Sequence, residues 1–393
     1  MDRVSSRVMG RRAVVAAAGV ALAGCADGGN GEEPEPTPIP DDEREAFDSG
    51  WPTFAMDAAN TGYAPDISGP YTEIGERWRF ETEGSIAGSP AVAGNTLYVG
   101  STDGSLYALD PYVGAELWSF ETDGPVTTTP AVVDGTVYVG SGDERLYAID
   151  AADGTEVWRF DVGDRVGSSP TVSEGTVYVG GVNSSVFAVD RNAGEQRWRF
   201  GTGASVLGTP AVADGTVYVG SSDRNVYALD AASGEERWRF GTRGIVSAGP
   251  AVADGTVYAG SRDSTLYALD AEDGERTWQF DANEQVQGSP AIVGETAFVG
   301  SSDDFLYAVG IDGDHDGRYG FRTGGSVVAS PAATRNHVFV ASTSGNVFCV
   351  VPEDGDTVWR FEADAGVQGG PAVTDEWLYF GDVDGTVYAI GSG

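Results

Sequence analysis

Thr209–Phe240 reads TPAVADGTVYVGSSDRNVYALDAASGEERWRF, and it divides into four short apolar runs. Pro210–Ala213 is the first. Asp214-Gly215 follows, a dipeptide that favours a tight hairpin because glycine accepts positive φ at little cost. In Thr216–Gly220, Val217 and Val219 fall on one face and Tyr218 on the other, the period of a strand. Ser221–Asn225 is a polar turn, Val226–Asp230 a third strand, Ser233-Gly234 another turn, and Glu235–Phe240 a fourth strand.

The same unit recurs outward in both directions. Trp78, Trp118, Trp158, Trp198, Trp238 and Trp278 are 40 residues apart; Tyr319 follows after 41 and Trp359 after 40. Pro90, Pro130, Pro170, Pro210, Pro250, Pro290, Pro331 and Pro371 keep the same beat. A period of about forty residues holding four strands is one propeller blade. The copy from Pro371 carries only three strands, and the missing fourth is Gly75–Phe80 (GERWRF), ahead of the first proline. The sequence therefore predicts an all-β, eight-bladed β-propeller of four-stranded antiparallel blades, the last closed by an N-terminal strand. One tryptophan per blade is expected to pack between neighbours, stabilising by roughly 2–3 kcal/mol. Gly100, Gly140, Gly180, Gly220, Gly260, Gly300 and Gly381 mark close backbone approach between blades.

The chain carries 60 acidic and 23 basic residues, all of the latter arginine, for a formal charge of −37 over 393 residues. Such a charge repels nucleic-acid phosphates and anionic membranes, so neither is expected as a ligand. The acidic, lysine-free composition resembles the surfaces of proteins from extremely salt-loving archaea.

Residues 1–24 read as an export signal, with Arg11-Arg12 as a twin-arginine pair before the apolar run Ala13–Ala23. Eleven apolar residues are too few to span a bilayer. Leu22-Ala23-Gly24-Cys25 resembles a lipobox, with Cys25 as the lipid attachment point. Residues 25–49 (DGGNGEEPEPTPIPDDERE within them) form an acidic Pro/Gly tether, because like charges, Gly and Pro cannot bury a core. Residues 50–73 are a lead-in segment and 74–393 the propeller. Cys349 is read as taking the third-strand position held by Leu229 in the cleanest copy, a buried apolar filler unlinked to Cys25. The expected product is an exported monomer, lipid-anchored on the outer face of the cytoplasmic membrane.

The unit SPAV…DGTVYVGS.D..LYALDA..GE..WRF resembles the PQQ-type (pyrroloquinoline-quinone) propeller repeat over about residues 74–390, and Trp51–Asp66 (WPTFAMDAANTGYAPD) resembles that superfamily's lead-in. An eight-bladed lipoprotein without added domains is similar, within it, to the outer-membrane-assembly propeller lipoproteins, which are non-catalytic scaffolds. The dehydrogenase branch instead stacks a quinone between a tryptophan and a disulfide of adjacent cysteines. It also holds Ca²⁺ with Glu, Asn and Asp beside a catalytic Asp. This chain has no adjacent cysteine pair. Outside the repeat its tryptophans are Trp51 and Trp377, and the even spacing leaves no ligand-bearing insertion. The resemblance implies a shape and a partner, an unidentified protein or cell-surface polymer, with no catalytic residue and no PQQ. The alternative is a quinone-dependent dehydrogenase of alcohols or sugars.

Two places break the repeat. Arg165, Arg243 and Arg322, with Gln287 and Gln368, lie in the loops entering the blades and form a candidate binding rim. A guanidinium there can read a carboxylate or simply balance charge. Gly310–Gly320 (GIDGDHDGRYG) places Asp312, Asp314 and Asp316 alternately before Gly317, with the Arg318 carbonyl at the seventh position, like the start of a Ca²⁺ loop. Position twelve is Thr323 where such a loop has a bidentate Glu, and the flank is a strand. A calcium site and a plain acidic turn are both open. His315 and His337 are too few for zinc, and Asn183-Ser184-Ser185 is a glycosylation sequon.

Overall fold

Four successive blades, the second to the fifth, start from the same local chemistry, an Asp-Gly or Glu-Gly turn with both residues at positive φ. In the fourth, Asp214 (φ +47°) and Gly215 (φ +69°) take the two positive φ values of the hairpin turn. Around that turn Ala211–Ala213, Thr216–Gly220, Asn225–Asp230 and Glu236–Gly241 pair antiparallel. The computed structural model describes residues 50–72, 74–313 and 319–392. These form eight sheets with no helix among the described residues. Blades 1 to 7 run over residues 91–121, 131–161, 171–201, 211–241, 251–281, 291–322 and 332–362. Blade 8 takes Ala372–Val373, Trp377–Gly381 and Thr386–Ser392, and Ile74–Glu81 completes it. Trp78 stands opposite Ala389 and Phe80 opposite Val387, so the N-terminal strand closes the ring.

In the seven blades that carry the tryptophan, the outer strand bulges just before it: Ala228 pairs with Trp238 and Leu229 with Glu236, leaving Arg237 outside the ladder. The bulge turns the ring toward the next blade. Trp198 Nε1 donates to the Ala231 carbonyl at 2.9 Å, and its ring lies where a Cβ on Gly234 would stand, 2.6 Å away. Trp78, Trp238 and Trp278 repeat the bond to Pro111, Ala271 and Ile311. Tyr319 substitutes with its hydroxyl on Pro352. At the seam Trp359 finds no such turn ahead of it and donates instead to Pro70 in the lead-in, at 2.7 Å. The repeated strand-end glycines do sit against the next blade: a Cβ on Gly220 would stand 2.3 Å from Val246, and one on Gly140 the same distance from Val166.

One assignment is corrected by the register. Cys349 stands opposite Trp359, as Ala228 stands opposite Trp238, so it fills the alanine position and not that of Leu229. It is fully buried, and burial pushes its thiol well up from the ordinary range.

Candidate functional site

The inner strands leave their axial edges unpaired, and backbone groups there need partners. The lead-in supplies them. The carbonyls of Trp51, Pro52, Ala58, Ala59, Thr61 and Gly62 accept the N–H groups of Val92, Val132, Val212, Val252, Ile292 and Ala333, at 2.6 to 2.9 Å. Tyr63–Ala64 then adds as a parallel strand to blade 7. One segment thus crosses the axis and ties six blades together at the ends of the inner strands, where the tight hairpins lie. Asn60, fully buried at φ +56°, donates through Nδ2 to the carbonyls of Thr209 (3.0 Å) and Pro250 (3.1 Å).

Above this floor lies an axial cavity of about 170 Å³, open toward the loops that enter the blades. Phe54 lies at its base. Its wall is the ring of small residues before each proline, Ser89, Thr129, Ser169, Thr209, Gly249, Ser289, Ser330 and Gly370. Neighbouring blades are stitched there: Ser89 N–H donates to Thr129 Oγ1, Thr129 N–H to Ser169 Oγ, and Ser289 N–H to Ser330 Oγ. The oxygens Asn60 Oδ1 and Ser289 Oγ are buried without a protein partner. Apart from the Phe54 ring the lining holds hydroxyls, amides and aliphatic groups, and no ionisable side chain. A hydroxyl without a base beside it is no nucleophile at neutral pH.

The five rim residues separate. Gln287 and Gln368 line the axial mouth, where Gln287 Nε2 donates to Ser302 Oγ at 2.9 Å. Arg165, Arg243 and Arg322 are exposed and lie outside the cavity lining. The acidic turns of this face have a structural use. Asp223 Oδ2 accepts the Tyr227 hydroxyl at 2.7 Å and the Gly203 N–H at 2.6 Å, and Asp103, Asp143, Asp263 and Asp303 do the same in their blades. Burial opposes ionisation of Asp223, but the Tyr227 hydroxyl and the surrounding N–H donors outweigh it and hold the carboxyl below its ordinary range. Burial and the same carboxylate push Tyr227 up to about 12.

Asp312 lies in the turn after the third strand of blade 6, where Gly313 (φ +82°) sits against Trp278 as Gly274 sits against Trp238. Asp314, Asp316 and Arg318, with His315, lie outside the described residues, as do Arg11, Arg12 and Cys25. Among the described residues no group of three or more His, Cys, Asp or Glu is placed to hold a metal. Asn183 is engaged, donating through Nδ2 to the Val162 carbonyl. His337 stacks on Tyr71, and burial lowers its pKa.

A quinone bearing several carboxylates would need cations and an aromatic floor. The cavity lining offers no cation and a single phenyl ring, that of Phe54, and its volume is well below the roughly 300 Å³ at which small-molecule pockets begin. Trp51 is buried against the inner strand of blade 1, and Trp377 stacks on Tyr379 in the second strand of blade 8. These residues do not fit the group.

The sequence pattern described as outer membrane protein assembly factor BamB matches four overlapping stretches, residues 75–162, 142–244, 224–319 and 314–392, which together cover the propeller. The chain belongs to the BamB family. A search of curated proteins returns no match. Among solved structures, BamB from Moraxella catarrhalis is similar over 81% of this chain and all of its own, at 20% identity and a TM-score of 0.67. The computationally designed Ika8 protein covers 83% of this chain and 100% of itself, at 18% identity and 0.71. A quinohemoprotein alcohol dehydrogenase from Comamonas testosteroni covers 88% of this chain and 81% of itself, at 15% identity and 0.75. At these identities the likenesses establish the propeller. They carry no activity across, because one fold hosts unrelated functions.

The lead-in's place under the axis was missed in the sequence. Its non-repeating stretch Trp51–Asp66 was the available signal, but the segment acts mainly through carbonyls, which every residue has.

Proposed function

We propose that this BamB-family chain is a non-catalytic scaffold, exported through its twin arginines Arg11-Arg12 and held by a lipid on Cys25, which binds a protein or surface polymer outside the cytoplasmic membrane. The observation that carries the reading is the axial lining. The place where a propeller of this kind could hold a reactive group is walled by small uncharged side chains and floored by the chain's own lead-in. The family supports it, since its name denotes an assembly factor. If the acidic surface belongs to a salt-loving archaeon, no outer membrane is present to assemble, and the partner is a different one. The segment from residue 25 to 49 would hold the propeller tens of ångströms from the lipid, at about 3.1 Å per residue for its Pro-rich part.

Crosslinking on intact cells, followed by identification of the captured neighbour, tests the proposal. A reproducible neighbour supports it. Failure to recover one, together with reduction of a dye by alcohol or sugar after adding quinone and Ca²⁺ to the purified protein, would replace it with the dehydrogenase reading.

A further inference from the structure

Eight of the seventeen described arginines lie within 4.0 Å of a carboxylate. Arg79, Arg191, Arg197 and Arg237 pair with Glu76, Asp134, Asp190 and Asp230 at 2.7 to 2.8 Å. Among those without such a pair, three exposed arginines of the loop face are neighbours: Arg224 in the second-to-third-strand turn of blade 4, Arg243 in the loop entering blade 5, and Arg262 in the corresponding turn of blade 5. Among the described residues no ion pair within 4.0 Å joins any of them to a carboxylate.

Hydrogen bonds place the three side by side. The Arg224 carbonyl accepts the Thr242 N–H at 2.7 Å, one residue before Arg243. The Arg243 N–H donates to Asp263 at 2.8 Å, one residue after Arg262. Arg262 Nε in turn reaches Ser247 Oγ at 3.2 Å, and Ser247 lines the axial mouth. The nearby carboxylates are spoken for, since Asp223 and Asp263 accept tyrosine hydroxyls and backbone N–H groups.

The repeat does not require these arginines. In other blades the position of Arg224 is held by Glu144, Ser184 or Asp304, that of Arg243 by Glu83, Asp123, Asn283 or Asp364, and that of Arg262 by Thr102, Ser222 or Ser302. One sector of one face therefore collects positive charge that blade packing does not use, on a chain of net charge −37. Asp223 and Asp263 supply two negative charges beside the three guanidiniums, which leaves an excess of positive charge, and a carboxylate-bearing ligand can meet it through short bidentate bonds that persist where long-range attraction is screened. The cluster faces away from the lead-in, so an anchor attached through the N-terminal segment leaves it clear.

We propose that Arg224, Arg243 and Arg262 form the docking site for an acidic peptide segment of a partner protein, at the rim of the axial mouth. The inference deepens the scaffold reading and rests on it.

The test uses the full chain and two labelled probes, a Glu/Ser peptide and its Gln/Ser counterpart, followed by fluorescence anisotropy. The triple variant R224S/R243N/R262S installs residues that other blades already carry at these positions, so the fold has a precedent for each. The Glu peptide should bind the parent saturably and bind the triple variant about tenfold more weakly or worse. R276S, on the opposite face, should bind as the parent does. Equal binding of both peptides, equal binding by parent and triple variant, loss in R276S, or binding of a sulfated polysaccharide with none of the Glu peptide would each overturn the assignment. Crosslinking separates the two proposals. The same neighbour captured by parent and triple variant would remove this site while leaving the scaffold reading standing.

Discussion

Gly154 is held at φ +74°, and a Cβ there would stand 2.7 Å from the Trp118 ring. Gly135 has the same φ of +74° with nothing within 4 Å of its would-be Cβ. The pair separates backbone strain from packing. G135A should lose about 1 kcal/mol, the left-handed conformation alone, whereas G154A should lose about 2–4 kcal/mol because the tryptophan must also move. Chemical denaturation of the two variants checks this, and equal losses would mean that the ring yields freely. A second residue-level expectation concerns acid. The Arg237 guanidinium, with the Ser233 backbone and hydroxyl, lowers the Asp230 carboxyl to about 2 from 3.8. A depressed folded value means that the favourable contribution is complete above the unfolded value near 3.8 and is lost as pH falls through about 2. Carboxyl titration by NMR should place Asp230 among the lowest groups, and R237Q should bring it back toward the ordinary range. A midpoint unmoved by R237Q would show that the turn's own N–H and hydroxyl donors suffice.

At the scale of elements, the lead-in and the closing strand do different work, and deletion can tell them apart. Removing residues 1–72 would leave six inner-strand N–H groups without their carbonyl partners and open the floor of the axial cavity. At about 0.5–1.5 kcal/mol for each hydrogen bond, the loss should be several kcal/mol. Removing residues 1–80 should lose more, because it also strips the Thr386–Ser392 edge and takes away Trp78, which is 1% exposed. Removing residues 1–49 should leave the melting temperature nearly unchanged. Thermal melts of the three truncations give the order, and equal values for the first two would mean that Ile74–Glu81 contributes nothing beyond the lead-in. The closing strand was legible in the sequence because it repeats the GERWRF pattern and because the last copy lacks that piece. The lead-in's place under the axis was not, since carbonyl acceptors leave no side-chain signature. Cys349 was placed one residue off because third-strand residues are buried on both faces, so polarity alone does not fix register there. The arginine cluster escaped for a related reason. Its members come from two kinds of loop, and only the hydrogen bonds through the Thr242 N–H and the Asp263 carboxylate show that they are neighbours, while Arg165 and Arg322, grouped with Arg243 by loop position, lie elsewhere.

At the scale of the whole molecule, a formal charge of −37 acts on a ring whose seam is held by a few named contacts. The acidic turns divide into two kinds. Asp103, Asp143, Asp223, Asp263 and Asp303 are tied into their blades by tyrosine and backbone donors and add order where they add charge. Exposed carboxylates such as Asp123 and Asp364, with side chains 89% and 66% accessible, gain little from their arginine partners. Repulsion among groups of this second kind is spread over the whole surface, so it is governed by screening. The Debye length falls from about 10 Å at 0.1 M salt to about 3 Å at 1 M. Stability should therefore rise steeply with added NaCl or KCl over that range and level off once neighbouring turns no longer sense each other. Surface ion pairs, weak and few beside 60 acidic residues, should not reverse the trend. Melting temperatures taken across a salt series test this directly. The salts must be chosen with care, because sulfate also strengthens apolar burial and would raise stability by a separate route. A melting temperature that stays flat in both chlorides would mean that the acidic surface is already neutralised by bound counter-ions at low salt, and that the ring closes without help from screening.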